Sequence, residues 1–121
     1  MDGMKKSIIS AAFIFFLSFL CVYQASAITL IETKTITAEN TFTTPYKING
    51  EFILWIEDAS SMAMTVTCEY SPDNISWIDG GDTWTSEGLH FINKPLGALI
   101  KCGVATGSYT SGTAIIRITT E

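Results

Sequence analysis

Met62-Ala63-Met64-Thr65-Val66-Thr67-Cys68-Glu69-Tyr70 alternates without a break: Met62, Met64, Val66, Cys68 and Tyr70 fall on one side, Ala63, Thr65, Thr67 and Glu69 on the other. A period of two sends successive side chains to opposite faces of a β-strand, so one face belongs to a core and the other to water. Ala98 to Ala105 behaves the same way, with Ala98, Ile100, Cys102 and Val104 opposed to Leu99, Lys101, Gly103 and Ala105. Each cysteine lands on the apolar face of its strand, which predicts a buried disulfide between Cys68 and Cys102.

Outward from this pair, further strands are expected at Ile28 to Thr37, Glu51 to Glu57, Ser76 to Ile78, Leu89 to Asn93 and Thr113 to Thr120. In the second of these the run Phe52-Ile53-Leu54-Trp55-Ile56 has no polar position at all, the pattern of a strand covered on both faces. Turn chemistry separates the segments at Asn49-Gly50, Ser71-Pro72-Asp73-Asn74, Asp79-Gly80-Gly81-Asp82, Lys94-Pro95 and Ser111-Gly112. No stretch of helical period intervenes. The expected fold is all-β, a small antiparallel sandwich of about seven strands, a barrel being the neighbouring solution. Residues 28–44 read either as an edge strand of the same sheet or as a free arm able to add to a neighbour's sheet, local pairing of sequential strands favouring the first.

Residues 1–27 read as a cleavable signal peptide: Lys5 and Lys6, an apolar run from Ile8 to Val22 broken only by Ser10 and Ser18, and the small-residue site Ala25-Ser26-Ala27. The competing reading, a membrane anchor, needs about 20 apolar residues, and this run is shorter and lacks a basic stop-transfer cluster. Lipidation at Cys21 is disfavoured because Phe19 and Leu20 before it are bulky. The working domain is therefore residues 28–121, with no stable membrane anchor after cleavage and a location in the periplasm or at the cell surface. Cys21 leaves with the leader, and the remaining even pair suits an oxidising compartment. Closing so long a loop stabilises a domain by about 3 to 4 kcal/mol in the chain-entropy treatment.

Five basic residues (Lys34, Lys47, Lys94, Lys101, Arg117) stand against eleven acidic ones in residues 28–121, a net charge of −6. That balance repels phosphate backbones and argues against a nucleic-acid partner or an anionic lipid surface. Catalysis finds little to work with: His90 sits between Leu89 and Phe91, no nucleophile elbow is present, and the disulfide consumes both thiols. A carboxylate pair of the glycosidase kind would meet only in the fold. Asp73, Asn74, Asp79 and Asp82 supply oxygen ligands of the type calcium takes, without EF-hand spacing and in residues that also form ordinary turns, so neither a metal nor another cofactor is expected. Asn74-Ile75-Ser76 matches the glycosylation sequon. Aromatic residues carry the functional expectation. Trp55 and Trp77 are expected in the core beside the disulfide, as in immunoglobulin-type sandwiches, whereas Trp84, among Asp82, Thr83, Thr85 and Ser86, is expected in water.

Cys68-Glu69-Tyr70-Ser71-Pro72-Asp73-Asn74-Ile75-Ser76-Trp77, followed by Pro95-Leu96-Gly97-Ala98-Leu99-Ile100 and Gly112-Thr113-Ala114-Ile115-Ile116-Arg117-Ile118, resembles a pattern of small β-sandwich modules. In that pattern a strand runs into Ser-x-Asp-(Gly/Asn)-x-x-Trp and a later strand enters from a glycine step; discoidin-like modules and phage structural proteins carry versions. The resemblance implies a non-catalytic binding or assembly module and transfers no binding residue. The reading is thus a secreted or cell-surface β-sandwich with a structural, adhesive or assembly role, its partner another protein or a second copy. The alternative is a small carbohydrate-binding module that stacks polysaccharide on Trp84 and Trp77.

Overall fold

The structure, a computed structural model, describes residues 28–94 and 97–120. The signal-peptide expectation and the Pro95 half of the Lys94-Pro95 turn lie outside the described residues. Nine strands follow one another: β1 (Thr29–Ile36), β2 (Thr41–Phe42), β3 (Tyr46–Lys47), β4 (Glu51–Met64), β5 (Val66–Ser71), β6 (Ile78–Trp84), β7 (Gly88–Asn93), β8 (Leu99–Val104) and β9 (Tyr109–Thr120). They form two sheets, a four-stranded one in the order β1-β9-β4-β7 and a five-stranded one in the order β2-β8-β5-β6 with β3 also on β8. Every pairing is antiparallel. The fold is the expected all-β sandwich.

Residues 28–44 resolve in favour of an edge strand. β1 runs along β9 from Thr29 opposite Thr120 to Ile36 opposite Ala114. The edge on the second sheet is broken into β2 and β3, because Pro45 has no N–H to offer a ladder. Thr43 repairs the gap: its N–H donates to the Cys102 carbonyl at 2.9 Å, and its Oγ1 accepts from the Cys102 N–H at 3.0 Å.

The stretch Met62 to Tyr70 is two strands, not one. β4 ends at Met64 in the first sheet and β5 begins at Val66 in the second, so the chain changes sheets at Thr65. Alternation survives the corner because both sheets face one core: Met64, Val66 and Cys68 are all buried. The corner is bent by a series of bulges in the β4–β9 ladder, between Asp58 and Ser60, Ser60 and Ala63, and Ala63 and Met64. Bulges add twist and let a strand pass from one sheet to the other. Ser111-Gly112, expected as a turn, lies inside β9 at this bulged stretch, with Gly112 at φ +86° and its α-carbon against the Ser60 and Ser61 carbonyls. Asp79-Gly80-Gly81-Asp82 is likewise no turn but the middle of β6, where Gly81 at φ +87° takes up the extra residues of a bulge opposite β5.

The core is aliphatic: Ile36, Ile48, Phe52, Leu54, Ile100, Ile116 and Ile118 are essentially inaccessible to solvent. Full burial of each such side chain stabilises by about 1.5 to 3 kcal/mol before chain entropy is set against it. The Cys68–Cys102 disulfide lies among these residues and joins directly opposed positions of β5 and β8, with Cα atoms 4.1 Å apart. It therefore ties neighbouring strands of one sheet, where the immunoglobulin pattern would tie two sheets. Cys68→Ala with Cys102→Ala is expected to lower the unfolding free energy by about 3 to 4 kcal/mol in denaturant titration; an unchanged midpoint would show that the bond is not formed.

Candidate functional site

The three tryptophans occupy three different surroundings: Trp55 and Trp77, expected in the core, lie outside it, and Trp84, expected in water, is half-buried. Trp84 packs against the core and is half-buried, because β6 continues through Asp79–Asp82 and brings Trp84 opposite Val66. Trp55 is an odd position of β4, and the core takes the even ones, so its ring lies on the outer face of the four-stranded sheet. Its indole Nε1 donates to Thr119 Oγ1 at 2.8 Å. Trp77 is half-buried outside the core on the other sheet, with the Lys101 ammonium 4.5 Å from its ring.

Lys101 explains Trp77. The same ammonium lies 4.8 Å from the Phe42 ring and 3.4 Å from Glu69 Oε2, so Phe42, Trp77 and Glu69 surround it from three sides. Cation–π attraction and a partly shielded ion pair both favour this arrangement. Trp77 thus has a structural partner within its own chain and is spatially separate from Trp84.

Trp84 and Tyr70 instead face the side of the sandwich where β6 and β7, edges of opposite sheets, run past each other. Two adjoining depressions lie there. One, of about 530 Å³, is walled by Tyr70, Pro72, Ile78, Asp79 and Ala98, and the other, of about 440 Å³, by Asp82, Trp84, Leu89, His90, Phe91 and Asn93; Lys94 borders both. Gly80 lets the Tyr70 ring lie against β6, since a Cβ there would collide with Tyr70 Cε2. The Lys94 ammonium stands 5.1 Å from the centre of the same ring. Burial pushes the Tyr70 phenol up to about 12 from an ordinary 10.0, helped by the negative charges of Asp82 and Asp79.

His90 forms the floor beside Trp84, the two rings stacked at 4.9 Å and 27°. Its Nε2 is buried with no hydrogen-bond partner, which costs about 1 to 3 kcal/mol. The oxygen-bearing residues weighed as calcium ligands are engaged in their own turns. Asp73 commits Oδ1 to its own turn, accepting from the Ile75 and Ser76 N–H groups, each at 2.9 Å, and from the Ser71 hydroxyl at 3.1 Å. These donors, Ser76 foremost, hold its carboxyl below the usual range. Asp79 Oδ1 accepts from the Gly81 N–H at 2.8 Å. Among the described residues no three His, Cys, Asp or Glu side chains are placed to hold a metal ion. Asn74, the sequon residue, is exposed at φ +63° in the same turn.

A second surface was only half legible in the sequence. On the outer face of the four-stranded sheet, Ile53 stands opposite Phe91 on β7 and Thr119 on β9, while Trp55 stands opposite Leu89 and Arg117. Phe91 is 68 % exposed, Leu30 58 % and Leu89 44 %, yet Ile53 beneath them is 5 % exposed. No second layer of the described chain covers this face. No family model, curated protein or solved structure matches the chain.

His90→Phe keeps a ring against Trp84 and removes the orphaned nitrogen, so its melting temperature is expected to equal or exceed the parent's; a loss beyond about 1 kcal/mol would contradict this account of Nε2. The raised Tyr70 value favours the neutral phenol in the folded state. Its contribution to stability is complete below pH 10 and is lost as the pH rises towards about 12. Ultraviolet titration is expected to show one late-ionising tyrosine that moves down in Asp82→Asn with Asp79→Asn, and an unmoved curve would refute the charge contribution.

Proposed function

We propose that residues 28–121 form an extracytoplasmic, non-catalytic building or adhesive module that self-associates through the outer face of its four-stranded sheet. The observation that carries this reading is β4 itself. Its run Phe52 to Ile56 is apolar on both sides, but only the inner side, with Phe52, Leu54 and Ile56, has a core to face. The outer side, Ile53 and Trp55, is flanked by exposed Phe91 and Leu89 in place of the polar residues that normally face water.

A second copy suits this face in size and charge. Four strands about 4.8 Å apart and eight residues long at about 3.3 Å each offer roughly 500 Å² a side, about 1,000 Å² in all, at the lower bound for a specific interface. Residues 28–121 carry a net charge of −6, so like molecules repel over most of their surface. At this face Arg117, opposite Trp55, is paired with Glu57 at 3.8 Å, and Ile53 with its neighbours Phe91 and Thr119 is uncharged. The Cys68–Cys102 disulfide is consistent with a place outside the cytoplasm, and the leader of residues 1–27 would deliver the domain there.

Sedimentation velocity over a rising concentration series is expected to show a monomer–dimer equilibrium of micromolar strength. Phe91→Lys, at an exposed position, is expected to abolish the dimer without lowering the melting temperature. A parent that stays monomeric throughout, or a Phe91→Lys variant that dimerises as before, would overturn the proposal.

A further inference from the structure

The groove between β6 and β7 meets the assembly face along β7, where Leu89 and Phe91 border both, but it has a different chemistry. We infer that it is a binding site for a neutral oligosaccharide. Its two depressions, about 530 and 440 Å³, each fall in the size range of small-ligand sites, and they adjoin at Lys94. Together they make a trough that suits a short chain of sugar rings better than a single one.

Each depression has an aromatic ring, Tyr70 in one and Trp84 in the other. Sugar rings present C–H faces that pack on such surfaces, while their hydroxyls require both donors and acceptors at the rim. Asp79 and Asp82 accept, Lys94 donates, and Asn93 does both, so the polar set matches a polyol. A phosphate or a uronic acid is disfavoured by the two carboxylates, whose negative field is already felt at the Tyr70 hydroxyl. A purely apolar ligand would make no use of the polar rim of Asp82, Lys94 and Asn93 and would cover it at a cost.

The site is also held in shape before any ligand arrives. The His90 stack fixes the Trp84 ring, and the Lys94 ammonium is held over the Tyr70 ring. Preorganisation of this kind lowers the ordering cost of binding. Trp77, the other tryptophan expected to stack on sugar, takes no part, because it is engaged with Lys101 on the outer face of the five-stranded sheet.

The test is retention of the mature domain on an immobilised glycan array spanning neutral, amino and acidic oligosaccharides, followed by calorimetry with the best-retained soluble compound. Retention of neutral glycans is expected, with affinity at least tenfold weaker in Trp84→Ala and unchanged in Trp77→Ala. Because Trp84 also packs against the core, Asp82→Ala and Asn93→Ala, both at exposed positions, provide variants that leave the fold intact, and each is expected to weaken binding severalfold. No retained glycan, a preference for acidic glycans, or binding insensitive to Asp82→Ala, Asn93→Ala and Trp84→Ala would overturn the inference. Because Phe91 borders the second depression, binding is measured on the parent domain below the dimer midpoint, where the glycan result does not depend on whether the dimer forms.

Discussion

Strand β4 buries apolar residues on both of its faces, and much of the molecule is arranged around that demand. On its inner side Phe52, Leu54 and Ile56 meet residues of both sheets in one aliphatic cluster. β7 pairs with it from Glu51 to Ile56 and β9 from Ile53 to Met64, so its backbone is bonded on both sides where the apolar run lies. Near its end the bulges opposite β9 bend it, and the chain crosses to the second sheet at Thr65. One strand therefore contributes the core of the first sheet, the corner that creates the second, and the outer surface that lacks a cover.

The second sheet is shorter and is held by more local means. Cys68 and Cys102 bond β5 to β8 at directly opposed positions, and one residue earlier along β8, on the opposite face, Lys101 lies between Phe42 and Trp77 and pairs with Glu69. Thr43 supplies the hydrogen bond that Pro45 interrupts. These contacts concentrate around the middle of the sheet, whereas its β6 edge is bulged and borders the groove. A cross-linked middle and shaped space at the edge are the conditions the proposed groove requires.

The fold class was legible because strand period and cysteine parity are local properties. Alternation in Met62 to Tyr70 identified the buried side correctly, even though the chain changes sheets within it, since both sheets share that side. The same local reasoning failed at Asp79–Asp82 and Ser111–Gly112, where turn-forming residues serve as bulges inside strands. A bulge and a turn both need a residue with positive φ, and only the partner strand distinguishes them. The site was less legible for a related reason. Tyr70, Asp82, Trp84 and Lys94 come together through the facing of two sheet edges, and the capture of Trp77 by Lys101 depends on β5, β8 and β2 lying side by side. The double-sided apolar run in β4 was read as needing cover on both faces, and that expectation singles out the surface the chain leaves open.

If this surface is closed by a second copy, protons on Phe91 of one molecule must lie close to Ile53 and Leu89 of another. An isotope-filtered nuclear Overhauser experiment on a mixture of labelled and unlabelled mature domain, at a concentration above the dimer midpoint, reads that proximity directly. Intermolecular cross-peaks from the Phe91 ring to Ile53, Leu89 or Trp55 are the predicted result. Cross-peaks confined within single molecules, or intermolecular ones arising only from the five-stranded sheet, would contradict the account.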